Sequence, residues 1–190
     1  MTGFDERELR LRSALITLED KYFEDMRCEY LSLMDKYFRN EDLGYILELN
    51  DMKVSISEDY SMSAYHADTK TLQLMPEHVD DENVLLHEMI HAFEFLLDDT
   101  VPALREILAL QLYKKLSAKH PDLDAYLDNF INRRTFLDIA KDGGPHGLLF
   151  ALKALDIDDR KGWKPGTTFG YIPYIPEDNN CAAAAACAIL

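Results

Sequence analysis

One nine-residue stretch, Leu85-Leu86-His87-Glu88-Met89-Ile90-His91-Ala92-Phe93, constrains this chain more than any other part of it. Val84, Leu85, Ile90 and Leu97 recur with helical spacing and carry a helix to about Asp98. Asp80 and Asp81 stand where an N-terminal cap and favourable first-turn acids belong. Within that helix the residues spell HExxH. Two His four positions apart lie about 40° apart around a helix axis, so their imidazoles converge on one ion. Neutral imidazole suits zinc, and catalytic zinc sites use three protein ligands and leave one position for water. Glu88, one residue after His87, can reach that water without ligating the metal, take its proton and pass it to a leaving amine. Random placement in a chain with six His gives roughly 0.01 such motifs.

The pair needs a third ligand, and the sequence offers several residues to weigh for it. His146 lies in Gly143-Gly144-Pro145-His146-Gly147, a tight turn leading into a helix, where a side chain can be aimed sharply. Glu106 lies one helix downstream, where a Glu-ligand metallopeptidase would place it. Glu94 is on the His87 face, but a straight helix carries it past the metal, to hydrogen-bond a ligand His or to meet solvent. No Gly closely follows His91, which disfavours the HExxHxxGxxH arrangement. His120, His66 and His78 read as surface residues.

Around the motif the rhythm of the chain changes twice. Leu15, Leu18, Tyr22, Met26, Tyr30, Leu33 and Tyr37 mark one long helix or two shorter ones, packed on the domain's own core. From Gly44 the pattern alternates, and Tyr45–Leu49, Met52–Ile56, Met62–Tyr65 and Thr71–Leu74 are predicted strands. After the HExxH helix, Pro102 opens another with Leu104, Ile107, Leu108, Tyr113 and Leu116. Leu123 to Leu137 is predicted as a further helix stopped by Gly143-Gly144-Pro145, and a last short one runs from about Gly147 to Leu155. Trp163, Tyr171 and Tyr174 then sit in a stretch too rich in Pro and Gly for regular structure, where they cover an apolar patch; low-complexity Ala follows. One domain over 1–160 and an irregular tail over 161–190 are expected.

Composition narrows the partners. Apolar residues at 47% exclude wholesale disorder, but 20 Lys and Arg face 35 Asp and Glu, a net charge of −15. No basic stripe grips a phosphate backbone, so charge alone argues against DNA as a partner. Cys28, Cys181 and Cys187 make neither a disulfide framework nor a zinc ribbon. With a charged start and no apolar run of membrane-spanning length, the expectation is a soluble intracellular protein, cytoplasmic or nuclear. The end, Cys187-Ala188-Ile189-Leu190, fits a prenylation box, with Cys181 as a second acylation position, but no polybasic segment supports it.

The run from Leu85 to Ala92 resembles the active helix of the SprT-like (Spartan-type) zinc metalloproteases, and His146-Gly147-Leu148-Leu149-Phe150 resembles their His-Gly-x-x-Phe element. The likeness covers roughly residues 52–155. It implies an α+β zincin-like domain with an N-terminal helix, a small sheet, the active helix and additional C-terminal helices. It also implies His87, His91 and His146 as zinc ligands, Glu88 as the catalytic acid and base, and hydrolysis of peptide bonds in protein or peptide substrates. In that family the His-Gly element follows the active helix closely, whereas here 54 residues, 92 to 145, lie between the second and third His. No Cys-rich ribbon follows, and the acidic total does not reproduce the basic surface with which Spartan-type enzymes reach DNA-bound proteins. A non-catalytic acidic binding protein that retains an HExxH metal site is the alternative reading; no oxyanion stabiliser stands out, Tyr65 and His66 being only near in sequence.

Overall fold

A computed structural model describes residues 6–37, 52–59, 62–100, 102–130 and 146–170 of the chain. Among them the fold is mixed α+β, mostly helical, with one three-stranded sheet. The N-terminal stripe forms two helices, α1 (Glu6–Tyr22) and α2 (Glu24–Tyr37). Backbone bonds from Phe23 N–H to Glu19 and from Arg27 N–H to Phe23 nevertheless carry the ladder across the junction. Leu11, Leu15, Leu18, Tyr22, Phe23 and Met26 are buried, so this face packs on the domain's own core.

Strands β1 (Lys53–Ile56), β2 (Ala64–His66) and β3 (Thr71–Leu74) lie in the order β1-β3-β2, with β1 parallel and β2 antiparallel to β3. Alternation places Leu72 and Leu74 fully in the core while Thr71 and Gln73 stay partly exposed. The expected strand at Tyr45–Leu49 lies outside the described residues.

Helix α3 (Glu82–Thr100) is the centre of the fold. The Asp81 carboxylate caps it by accepting from Asn83 N–H at 2.9 Å and Val84 N–H at 3.4 Å. Every residue from Val84 to Glu94 is buried, which marks an interior helix rather than an amphipathic surface one. Helix α4 (Pro102–Ser117) returns beside it and α5 (Leu123–Phe130) follows; the rest of the segment expected to be helical to Leu137 lies outside the described residues. Helix α6 (Leu148–Lys161) packs against both α3 and α4.

Helix α6 is longer than the sequence pattern predicts: Asp156 and Asp158 are polar yet buried, and the helix runs on to a more exposed last turn at Asp159–Lys161. The helix ends at Gly162, whose left-handed φ of 68° lets its N–H cap the last carbonyls. A short helix, α7 (Thr167–Gly170), then packs on α3 and α6, within the stretch expected to be irregular. Trp163 lies half-buried against the core, as its aromatic character implied. No helix among the described residues is long and apolar enough to cross a membrane.

A charged knot fastens α6 to the N-terminal helices. Lys153, with no solvent exposure, donates to the Tyr22 carbonyl and to Asp156 at 3.0 Å, and lies 3.8 Å from Asp25. Lys115 of α4 bridges Asp25 and Asp156 at 3.2 and 3.1 Å. Burial alone pushes the Asp156 carboxyl up, but the Lys153 charge and hydrogen bonds from Lys153 and Lys115 outweigh it and hold it below its ordinary value. An acid depressed in the folded state stabilises the fold above its unfolded pKa and loses that contribution as pH falls through the folded value. Chemical unfolding of the wild type should therefore show this contribution in full at neutral pH and its progressive loss as pH falls from the ordinary carboxylate range toward the lower folded value. Lys153→Met, which leaves Asp156 buried without its closest partner, should lose about 3–5 kcal/mol at neutral pH and, with burial of Asp156 then less opposed, should lose less further stability than the wild type as pH falls through that range.

Candidate metal centre

The HExxH helix and the turn before α6 bring three imidazoles together. His87 and His91, both buried, place their ring centroids 5.0 Å apart on α3. His146, half-buried at the entry to α6, has its centroid 5.2 Å from His87 and 4.9 Å from His91. One ligand atom from each residue lies within 4.8 Å of the others, a spacing at which the three can hold a metal ion. The Nε2 atoms of His87 and His146 are 3.3 Å apart. Two nitrogens bound at about 2.0–2.1 Å to one tetrahedral ion would be separated by about 3.3–3.4 Å, so this pair already has the separation such an ion demands.

The surroundings favour neutral imidazoles with lone pairs directed inward. Phe150, one turn into α6, packs against all three rings at 4.9, 4.6 and 4.7 Å from His87, His91 and His146. Burial, reinforced by nearby His146 and opposed by backbone hydrogen bonds, lowers His87 to about 4. Burial also lowers His91 strongly and His146 less. All three are therefore uncharged at neutral pH, the form that ligates metal. The Thr168 carbonyl is 2.9 Å from His87 Nδ1. Because a carbonyl can only accept, Nδ1 carries the proton and Nε2 keeps its lone pair.

Glu88 stands outside this group and faces the sheet. Its Oε2 accepts from the Tyr65 backbone N–H at 2.8 Å. Tyr65 is paired with Leu72 across β2 and β3, so this N–H leaves the outer edge of β2 toward α3. Burial raises the Glu88 carboxyl to about 8, against the pull of the Tyr65 bond. A cation held by the neighbouring imidazoles would draw it back toward the carboxylate form.

The other sequence candidates are placed elsewhere. Glu106 lies on α4 and is not among the three residues of the cluster. Glu94 does not meet solvent: it is 4% exposed and pairs with buried Arg105 at 3.3 Å. His120 pairs with Asp159 at 2.7 Å, His78 with the Ser63 hydroxyl at 2.9 Å, and exposed His66 with Gln73 at 3.1 Å. Tyr171, Tyr174, Cys181 and Cys187 lie outside the described residues. Sequence reasoning missed Thr168 and the buried Asp158 that holds its loop. Neither belongs to a motif, and α7 carries no periodic signal in its four residues.

No family model, curated protein or solved structure matches the chain.

A ligand set of this composition predicts a sharp difference between two substitutions. In competition with a chromophoric chelator, His146→Ala should weaken zinc binding by more than about 100-fold, whereas Glu106→Gln should leave it unchanged.

Proposed function

We propose that this chain is a zinc-dependent metallopeptidase of SprT-like, HExxH type that hydrolyses peptide bonds in protein or peptide substrates. The observation that carries this reading is the convergence of His87, His91 and His146, with Glu88 next to His87 and buried at the sheet edge. The donor set fits zinc: three neutral imidazoles, one with its tautomer fixed by a backbone carbonyl. Zinc bound there supplies Lewis acidity, lowering the pKa of a coordinated water and polarising the scissile carbonyl.

The protein's own part is positioning and proton transfer. The Tyr65 N–H holds one oxygen of Glu88 and leaves the other for a proton. Glu88 takes a proton from the attacking water as its oxygen bonds to the carbonyl carbon. It then delivers that proton to the amide nitrogen as the C–N bond breaks. Strand β2 ends the sheet order among the described strands, and its outer edge faces α3 at Tyr65. A peptide added along that edge passes beside Glu88, and backbone pairing of this kind is a common docking mode.

The net charge of −15 supports free protein or peptide substrates, basic ones above all, over a DNA-bound target. The 54 residues between His91 and His146 are an insertion relative to the resembled family. Their chief described parts, α4 and α5, pack on α6, so the inserted helices share the core that carries His146.

Glu88→Gln separates catalysis from metal binding. The variant should keep stoichiometric zinc and lose casein or self-cleavage by about 10²–10⁴-fold. Equal cleavage by wild type and variant would overturn the peptidase reading, and absence of cleavage in both would favour a binding protein that retains the metal site.

A further inference from the structure

We propose that Asp158 is a positioning residue for the metal centre: through the 164–168 loop it fixes the Thr168 carbonyl that sets the orientation and tautomer of His87. This inference rests on the metal-site reading above but concerns a part of the molecule that the HExxH motif does not contain.

The chain of contacts is continuous. Asp158 lies on α6 with no solvent exposure. Its Oδ2 accepts from Gly166 N–H at 2.8 Å, and its Oδ1 accepts from Thr168 N–H at 3.0 Å and from the Thr168 hydroxyl at 2.6 Å. Its backbone carbonyl also accepts from Trp163 N–H at 2.8 Å, so side chain and main chain anchor the same loop. The loop adds internal ties, from Thr167 N–H to Lys164 and from Gly170 N–H to Gly166. Thr168, itself fully buried, then presents its carbonyl to His87 Nδ1 at 2.9 Å.

The donors that meet Asp158 explain why a carboxylate stands there. Two backbone N–H groups and a hydroxyl all donate, and an ionised carboxylate is the side chain that only accepts. An Asn of the same shape must turn one N–H₂ toward an N–H donor, either at Gly166 or at Thr168. Asp158→Asn therefore attacks this arrangement without changing side-chain volume. Adjacent Asp159 provides the control, because its carboxylate is half-exposed and pairs with His120 instead.

The role differs from generic packing in what it moves. Metal-ligating imidazoles depend on the partner of their second nitrogen, and loss of such a partner costs about 10- to 100-fold in metal affinity. Loss of packing alone would lower stability and leave the tautomer of His87 as it was.

The test uses the full chain. Zinc affinity is measured by chelator competition, and the His87 tautomer of the zinc-free protein by nitrogen-15 NMR of the imidazoles. Wild type should show His87 protonated at Nδ1. Asp158→Asn should retain its helical circular dichroism, bind zinc about 10- to 100-fold more weakly, and show the Nε2-protonated form of His87. Asp159→Asn should match wild type in both. Thr168→Val, which removes only the hydroxyl donor, should weaken zinc binding several-fold, and Thr168→Ser should restore it. Folded Asp158→Asn with wild-type zinc affinity and an unchanged His87 tautomer would overturn the proposal while leaving the metal site intact. If Asp158→Asn does not fold, the Val and Ser pair decides: equal affinity overturns the proposal, and a loss restored by Ser supports it. Wild type that binds no zinc overturns the metal-site reading; the tautomer comparison in zinc-free protein then supports or overturns the positioning role by itself.

Discussion

The structure depends on placing two imidazoles and a carboxylate inside a helix that is otherwise core. Helix α3 is buried over its whole central part, and burial penalises the charged forms of His87, Glu88 and His91 alike. Such a helix is tolerable only if each polar atom has somewhere to go. His87 Nδ1 goes to the Thr168 carbonyl, and Glu88 goes to the Tyr65 N–H. The inward nitrogens of His87 and His146 go toward each other at 3.3 Å, around a point fit for a cation. The sheet, the α6 turn and the α7 loop each supply one of these partners, so the architecture around α3 is largely the means of satisfying it.

The same logic extends to α6. Lys153, Asp156 and Asp158 of this helix are buried, and each charge is met by opposite charge or by donors. Phe150 touches the three imidazoles, Asp158 ties down the loop over His87, and Lys153 fastens the helix to Tyr22 and Asp25. One helix thus carries the floor of the centre, its outer support and its link to the N-terminal helices. The pattern is costly in desolvation, and each of these buried charges is tolerated because its partners are in place.

This division explains what could be read from the residues. The spacing of His87 and His91, the Asp81 cap and the strands around Val54 and Leu72 are local patterns, and the structure reproduces them; of the turn expected to aim His146, only His146 and Gly147 lie among the described residues. The end of α6 was not legible, because Asp156, Asp158 and Arg160 look like a solvated helix terminus. Lys153, Lys115 and Arg160 around Asp156, and Gly166 and Thr168 around Asp158, make both of those acids interior. Glu94 misleads for the same reason, since its partner Arg105 comes from the next helix. Thr168 contributes a backbone carbonyl, a group every residue possesses, so no residue type at that position announces it.

The central claim is that three imidazoles, from two separated parts of the chain, enclose one ion. X-ray absorption at the zinc edge of the zinc-loaded protein tests it most directly. The account predicts three imidazole nitrogens at about 2.0–2.1 Å with one further light atom, falling to two imidazoles in His146→Ala. Sulfur at about 2.3 Å, or a wild-type spectrum unchanged by removal of His146, would contradict it.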